Sequence, residues 1–348
     1  MVENDTMLYR NLGNSGLRVS ALSIGNWQNG YTLASEEAQH QVFTKFIDAG
    51  VNFLDTAEIY GFGTAETILG NTLKKGDWDR DKLVISTKFI RCANSVGLSR
   101  KRLIQAMKKS LTRLQLDYVD IMFLHRFDHL VPLEETVRAV NHLIEKGKAS
   151  YWGTSEFTDT QLMEVFKICD KYGYDYPIAE QCQYNMFFRE NVEVNYAELF
   201  DRYGLGTTIW SPLSGGILSG KYNDGNFPEG SRIQDPGLAP QVRERYASRF
   251  NEQNKPKTVA LLNGLKTIAD GLGITQAQLS LAWCIKNPDV STAITGATSM
   301  NQAVDNLGAL DALSKLDATT LARIEEVIQT RPTPLTNYRK YEPRAPRR

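Results

Sequence analysis

From Ala21 onward, short apolar runs alternate with longer amphipathic segments, and this alternation restricts the fold more than any other feature of the chain. Eight runs predict strands, at residues 22–27, 52–57, 83–89, 119–125, 150–155, 178–183, 207–211 and 291–296. The segments between them carry helical spacing, as in Leu103, Met107 and Leu111, and helix stops such as Glu145-Lys146-Gly147. Strands that are each followed by a helix are typical of βα units around a parallel sheet.

Eight consecutive βα units favour a closed (β/α)8 TIM barrel. The alternative is an open doubly wound sheet, which usually has fewer strands and a glycine-rich first turn. The first turn here reads Gly25-Asn26-Trp27-Gln28-Asn29-Gly30, which does not match G-x-G-x-x-G. Two short runs around Gly13-Asn14-Ser15-Gly16 predict an N-terminal β-hairpin at residues 7–20. We expect residues 1–348 to form a single domain with an Arg/Pro-rich C-terminal tail at 333–348.

The connection after the seventh predicted strand, residues 213–255, is much longer than the others and is rich in Gly, Pro and Ser. Such loops are usually lids or ligand clamps, although a surface loop without function is an alternative. Within it, residues 215–222 satisfy G-x-x-x-x-G-K, but Tyr222 stands where a P-loop needs Ser or Thr. We therefore do not expect a nucleotide triphosphatase.

Composition narrows the class of protein. The chain has 42% hydrophobic residues and a formal net charge of +0, which predicts a soluble globular protein without a bias toward nucleic acid or acidic membranes. The four cysteines are scattered, and His40, His129 and His142 have no carboxylate or cysteine at ligand spacing, so no metal site is expected. No basic-apolar leader or membrane-length apolar run is present, and a cytoplasmic location is expected.

Polar residues stand at or just beyond the ends of three neighbouring strands. Asp55, Lys88 and His125 end the second, third and fourth predicted strands, and Tyr60 follows Asp55 by one short turn. Because the carboxyl ends of barrel strands form the active face, these side chains should lie together. A tyrosine donates a proton at neutral pH only if a nearby cation stabilises its phenolate, so Lys88 would lower the pKa of Tyr60. Asp55 would then hold the ammonium, and His125 would orient a substrate carbonyl and donate to it.

The alternative is purely structural: Asp55 and Lys88 form a buried pair, Tyr60 packs, and His125 is a satisfied strand-end histidine. Convergence of all four at one barrel face favours the catalytic interpretation. A proton donor aimed at a developing alkoxide predicts carbonyl reduction. That reaction also needs a hydride, which no side chain supplies, so a nicotinamide cofactor is implied.

Asp55, Tyr60, Lys88 and His125, within residues 52–60, 84–88 and 119–125, resemble the tetrad of the aldo-keto reductase superfamily. Further motifs are similar to the voltage-gated potassium channel beta subunit family. They are Gly97-Leu98-Ser99-Arg100-Lys101, Glu134-Glu135-Thr136-Val137-Arg138-Ala139, Tyr151-Trp152-Gly153-Thr154-Ser155, Tyr184-Asn185-Met186-Phe187, Trp210-Ser211-Pro212-Leu213 and Ser219-Gly220-Lys221-Tyr222. The resemblance runs from about Leu8 to Pro332.

This resemblance implies NADPH/NADP+ as cofactor and assigns it three groups of residues. The nicotinamide end is implied to contact Asn26, Trp27, Asp55, Ser155 and Gln181, although the family's usual threonine before that tryptophan is asparagine here. The pyrophosphate and its surroundings are implied to contact Trp210, Ser211, Pro212, Leu213, Ser214, Gly215, Lys221 and Arg232, which makes 213–255 a cofactor loop. The adenosine half with its 2'-phosphate is implied to contact Gly296, Thr298, Gln302, Asp305 and Asn306, with Arg232 nearby. For Gln302, a capping box at residues 299–302 is the alternative.

Two functions follow from the resemblance. The first is an NADPH-dependent oxidoreductase that reduces aldehydes and ketones to alcohols, with Tyr60 as general acid. The second is a cytoplasmic potassium channel beta subunit, membrane-associated through a channel alpha subunit, that uses the cofactor for redox sensing. Animal channel subunits resemble Phe-Ala-Asn-Arg-Pro-Asp where this chain reads Phe123-Leu124-His125-Arg126-Phe127-Asp128, which favours the enzyme. The resemblance also implies a homotetramer.

Overall fold

Eight parallel strands close into a barrel in the computed structural model, which describes residues 7–27, 35–90, 97–235 and 237–333. The barrel strands are β3 (Leu22–Gly25), β4 (Phe53–Asp55), β5 (Val84–Phe89), β6 (Val119–Leu124), β7 (Ala149–Ser155), β8 (Ala179–Gln181), β9 (Gly206–Trp210) and β10 (Thr292–Thr295). Each strand pairs in parallel with the next, and β10 also pairs with β3, Ala293 opposite Leu22. The predicted (β/α)8 barrel is confirmed.

The predicted N-terminal hairpin is also confirmed, and it covers the amino end of the barrel. Its strands β1 (Tyr9–Asn11) and β2 (Arg18–Ser20) are antiparallel. Leu12 and Val19 of the hairpin join a small buried cluster with inward residues of β4, β5, β6, β8 and β10. Gly13 has φ 58, and a Cβ there would collide with the backbone oxygen of Ile178, so the close approach of hairpin and barrel requires glycine.

Helices surround the strands and bury their apolar faces against the outside of the barrel, where the larger core cluster lies. They are α1 (Glu36–Asp48), α2 (Thr64–Gly76), α3 (Arg100–Leu114), α4 (Leu133–Glu145), α5 (Asp159–Tyr172), α6 (Ala197–Tyr203), α7 (Pro240–Ala247), α8 (Lys255–Leu272), α9 (Gln276–Lys286), α10 (Met300–Leu307), α11 (Ala309–Ala312) and α12 (Ala318–Ile328). The periodic residues Leu103, Met107 and Leu111 are buried on α3 as predicted. None of the described helices is long and apolar enough to cross a membrane.

The long connection after β9 is more ordered than its composition predicts. It contains 3-10 turns at Ser214–Ser219, Arg232–Gln234 and Ser248–Phe250, and the helix α7. The rings of Tyr222, Phe227 and Phe250 pack on one another with centroids 5.3 to 6.1 Å apart. Burial of these rings stabilises the loop against the molecule, which local sequence patterns do not reveal. Of the predicted tail at 333–348, residues 334–348 lie outside the described residues.

Candidate active site

The four tetrad side chains meet at the carboxyl end of the barrel. Asp55 ends β4, Lys88 lies on β5, His125 follows β6, and Tyr60 begins a 3-10 turn, Tyr60–Gly63. The Lys88 Nζ lies 2.6 Å from Asp55 Oδ2 and donates to the carbonyl oxygen of Thr56, also at 2.6 Å. That nitrogen is 4.9 Å from the centroid of the Tyr60 ring, which lies 5.8 Å from the His125 ring. The structure thus brings together the residues that the sequence predicts to be catalytic.

The register of the sheet fixes the Asp55 carboxylate. Asp55 stands opposite Ser86 on β5, and the Ser86 hydroxyl donates to Asp55 Oδ1 at 2.6 Å. The Gln181 side chain reaches the same oxygen from β8 at 3.2 Å. One carboxylate oxygen therefore accepts two neutral hydrogen bonds while the other pairs with Lys88. This arrangement keeps the ion pair in one orientation although it is buried.

Burial and neighbouring cations set the protonation of the site. Burial lowers the pKa of Lys88, and the adjacent Asp55 carboxylate partly restores it. Burial, with smaller contributions from Lys88 and Arg126, lowers the pKa of His125 well below its usual range. His125 is therefore a neutral imidazole at neutral pH, and its buried Nδ1 has no hydrogen-bond partner among the described residues. In this form it can donate one hydrogen bond to a carbonyl oxygen without giving up a proton.

A strained turn presents Tyr60. Gly61, Phe62 and Gly63 have φ values of 54, 54 and 96, all in the left-handed region. With φ 96, Gly63 adopts a conformation that residues with a Cβ rarely reach, and a Cβ there would also press on the Arg113 side chain at 2.9 Å.

The buried Glu66 carboxylate supports this turn from α2. It pairs with Arg113 at 2.6 Å and accepts a hydrogen bond from Thr87, the residue before Lys88. The turn that carries Tyr60 is thereby tied to the strand that carries Lys88.

Residues assigned to the nicotinamide end lie around the tetrad. Trp27 lies 6.5 Å from the Tyr60 ring, centroid to centroid, and Ser155 Oγ accepts a hydrogen bond from Arg126 at 3.1 Å. Asn26 is buried and donates to the carbonyl oxygen of Ala65 at 2.7 Å. Sequence reasoning missed Glu156, whose Oε1 accepts from the indole nitrogen of Trp210 at 2.8 Å. Its position after Ser155 at a strand end was the available signal.

The segment assigned to the pyrophosphate begins at the end of β9. Ser211 and Ser214 have φ values of 56 and 49, and the Gly215 amide donates to Ser211 Oγ at 3.1 Å. Gly215 faces the Tyr246 ring of α7 so closely that a Cβ would lie 2.6 Å from it. Pro212 and Leu213 form the turn between these two serines.

Lys221 and Arg232 are the cations of the loop that are assigned to the cofactor, and Arg232 is the one that reaches a residue next to the tetrad, Trp27. Burial lowers the pKa of both, and Arg232 lowers that of Lys221 further. The Arg232 guanidinium carbon lies 3.8 Å from the Trp27 ring centroid. In the described part of the chain no hydrogen bond or ion pair joins Arg232 to Thr298 or Gln302, and the assignment of these three side chains to the 2'-phosphate stays a prediction.

The residues assigned to the adenosine half lie just before α10 and along it, from Gly296 to Asn306. Ser299 caps this helix by accepting from the Gln302 amide at 3.3 Å, and the Gln302 side chain accepts from the Thr298 amide at 2.9 Å. Asn306 donates to Thr295 and to the Gly296 carbonyl oxygen, at 3.1 and 3.3 Å. Asp305 accepts from the Thr275 hydroxyl at 2.8 Å. The contact from Ser299 to the Gln302 amide is the first half of the capping box predicted as the alternative to ligand binding. The Gln302 side chain accepts from Thr298 instead of from the Ser299 amide that a capping box uses.

Comparison with known proteins identifies the family. Residues 21–329 match the Aldo/keto reductase family. The chain belongs to the aldo/keto reductase family. A probable voltage-gated potassium channel subunit beta of Oryza sativa subsp. japonica is 44% identical over 337 residues, which are 96% of this chain and 100% of that protein. A protein of the same description from Arabidopsis thaliana is also 44% identical, over the same shares of both chains. The predicted resemblance is confirmed.

Aldo/keto reductases are oxidoreductases that generally use NAD(P)H, and this site fits such a group. Polar atoms of four assigned residues are buried without hydrogen-bond partners in the described part of the chain: Asn26 Oδ1, His125 Nδ1, Ser214 Oγ and Arg232 Nε. Buried polar atoms are normally paired, and a polar ligand at this site would supply partners for these four. The described residues contain no group of three His, Cys, Asp or Glu suited to a metal ion.

Proposed function

We propose that this aldo/keto reductase is an NADPH-dependent oxidoreductase that reduces aldehydes and ketones to alcohols, with Tyr60 as the general acid. The observation that carries the proposal is the Lys88–Asp55 ion pair beneath the Tyr60 ring. A buried cation 4.9 Å from the ring centroid stabilises a phenolate, which makes the phenol a better proton donor. A purely structural ion pair does not need a tyrosine held above it by a strained turn.

The protein's own residues perform the proton transfer and the positioning. A bound dihydronicotinamide supplies the hydride to the carbonyl carbon. Tyr60 donates its proton to the carbonyl oxygen, and Lys88 stabilises the phenolate that remains. Neutral His125 donates a hydrogen bond that orients the carbonyl and stabilises developing negative charge. Asp55 keeps Lys88 in place.

The same proposal assigns the cofactor to the residues described above. Asn26, Trp27, Ser155 and Gln181 would hold the nicotinamide end. The segment Trp210 to Gly215, with Lys221, would run along the pyrophosphate, and the residues around the start of α10 would hold the adenosine half with Arg232. The unpartnered polar atoms of Asn26 and Ser214 support the first two of these assignments.

Turnover by the purified protein tests the proposed function. With NADPH and a reactive aldehyde such as 4-nitrobenzaldehyde, the wild-type protein should oxidise the cofactor repeatedly. Tyr60→Phe keeps the ring but removes the transferable proton, and loss of a general acid typically lowers the rate by about 10²- to 10⁴-fold. Cofactor affinity, measured in parallel, should be retained. A wild-type rate no faster than that of Tyr60→Phe across a panel of aldehydes and ketones would reject the proposed reductase function.

A second function is supported by the identity to the two plant proteins, which are described as probable voltage-gated potassium channel beta subunits. In this proposal the chain is cytoplasmic, forms a homotetramer, and associates with a membrane through a channel alpha subunit while its cofactor senses redox state. The two functions are compatible, because the tetrad does not depend on a partner. Copurification with a channel from the native source tests this association.

A further inference from the structure

Glu156 places a carboxylate next to Ser155, one of the residues assigned to the nicotinamide end. It lies directly after Ser155 at the carboxyl end of β7, with φ 57. A non-glycine residue in the left-handed region is strained, and such strain clusters at functional sites. A left-handed φ does not require a charged side chain. The contacts of the Glu156 carboxylate therefore have to explain why a charge stands at this position.

The ends of two neighbouring strands hold this carboxylate, and a third contact holds the Glu156 backbone. Glu156 Oε1 accepts from the Trp210 indole nitrogen at 2.8 Å, at the end of β9, and from the Gln183 amide at 2.7 Å, just beyond β8. The Glu156 amide donates to the Gln181 carbonyl oxygen at 3.2 Å. Glu156 therefore lies among Ser155, Gln181 and Trp210, and its position is fixed before any ligand binds.

The charge of Glu156 is not neutralised by an ion pair within the described residues. The nearby guanidinium groups donate elsewhere: Arg126 to Ser155 and the His125 carbonyl oxygen, and Arg245 to the Gln183 side chain. Glu156 is half-buried, so water screens its field only in part. Glu156 therefore contributes a negative potential to this part of the site, beside the positive charges of Arg126 and Arg245.

We propose that the Glu156 carboxylate is a fixed negative charge that favours the oxidised over the reduced nicotinamide in this site. The inference rests on the proposed function. The nicotinamide ring is cationic in NADP+ and neutral in NADPH, whereas both forms carry the same phosphates. Hydride transfer to the carbonyl carbon, with Tyr60 donating a proton to the carbonyl oxygen, would leave a positive charge on the bound ring, and Glu156 would attract that charge. Glu156 thus favours carbonyl reduction over alcohol oxidation on the protein.

Separate calorimetric titrations with NADP+ and NADPH measure the Kd of each form and so test whether the charge of Glu156 favours the oxidised one. Glu156→Gln keeps an oxygen that accepts from Trp210 and Gln183 but removes the charge. The ratio of the Kd for NADP+ to the Kd for NADPH should rise by about tenfold in this variant, the order expected for one fixed charge in a partly solvated site. Glu164→Gln, an exposed change on the following helix α5, is the matched control and should leave the ratio unchanged.

Equal loss of affinity for both forms in Glu156→Gln would show that the residue only positions Trp210, and it would overturn the proposal. An unchanged ratio with unchanged affinities would overturn it too. If the wild-type protein binds neither form, the proposed function fails instead.

If Glu156→Gln does not fold, as judged by its thermal midpoint, the wild-type protein provides the test. Because both cofactor forms carry the same phosphates, the effect of salt on phosphate contacts cancels in the ratio of Kd values. Raising the ionic strength from about 0.05 to about 0.5 M should then raise this ratio, since salt screens the half-exposed Glu156. A ratio independent of salt would overturn the proposal.

Discussion

His125 is the tetrad residue whose surroundings the structure describes most closely. The sequence offers two interpretations, a group that orients a carbonyl or a satisfied strand-end histidine. The structure shows a buried ring beside Tyr60, with a pKa far below its usual range and an unpartnered Nδ1. A buried nitrogen without a partner is unfavourable for stability, and a substrate oxygen would relieve it. His125 therefore fits hydrogen-bond donation in the neutral form.

The depressed pKa of His125 predicts how stability depends on pH. Below its normal pKa of about 6.5 the unfolded chain binds a proton that the folded protein does not, so the free energy of unfolding falls as the pH falls. Between pH 7.5 and 5.5 the wild-type protein should lose about 1 kcal/mol more than His125→Asn, which lacks the titrating group. Urea unfolding of both proteins at the two pH values measures this difference. An equal loss of unfolding free energy in both proteins would mean that His125 of the folded protein takes up a proton between pH 7.5 and 5.5, as the unfolded chain does.

Arg232 predicts the choice of cofactor. If this guanidinium leaves Trp27 and binds the 2'-phosphate, NADPH should bind more tightly than NADH. In Arg232→Ala the ratio of the NADH Kd to the NADPH Kd should then fall by roughly tenfold or more. Calorimetry is the suitable measurement, because removing a cation stacked on Trp27 also changes the indole fluorescence. Equal affinity of the wild-type protein for the two cofactors would reject the assignment.

At the scale of elements, β8 shows how one strand serves two purposes. Gln181 points into the barrel and reaches Asp55, whereas Glu180 is buried on the other side of the strand. The Glu180 carboxyl accepts from the Thr154 hydroxyl and the Phe157 amide. Burial raises the pKa of Glu180 to about 8. This strand is therefore stabilised best when Glu180 is protonated.

Glu180→Gln tests this effect. Between pH 4.5 and about 8 the folded protein holds a proton that the unfolded chain releases, so the free energy of unfolding should fall as the pH rises, by at most about 1.4 kcal/mol per pH unit. The glutamine amide can still bond to Thr154 and Phe157 but does not titrate. The thermal midpoint of Glu180→Gln relative to wild type should therefore increase from pH 5.5 to pH 8. A constant difference would show that Glu180 is ionised in the folded protein.

Elements and strand ends were predictable from the sequence because both depend on local patterns. The eight apolar runs predict the strands, and the polar residues that close them predict Asp55, Lys88 and His125. The position of Glu156 after Ser155 at a strand end was a signal in the sequence, but its contact with the Trp210 indole was not predictable, because Trp210 is 54 residues away and only barrel closure brings the two together. The helix α7 was missed for a related reason, since its Tyr246 packs on Gly215 within an otherwise irregular loop.

At the scale of the whole molecule, we expect a homotetramer, a proposal motivated by the likeness to channel beta subunits. Exposed Met300 and Val304, four residues apart on α10, present apolar area that a neighbouring subunit could cover. Multi-angle light scattering of the purified protein should therefore give about four times the chain mass of 39.2 kDa. A single monomeric species at micromolar concentration would contradict both the tetramer and the channel subunit.

The pairing of β10 with β3 also has a consequence for synthesis of the chain. All four tetrad residues leave the ribosome with the first 125 residues, but the strand that completes the ring ends only at Thr295. Until then, β3 carries a row of unpaired backbone groups that can recruit strands of other nascent chains. Chains that terminate before Thr292 should therefore aggregate or be degraded, even though they contain every residue required for proton transfer.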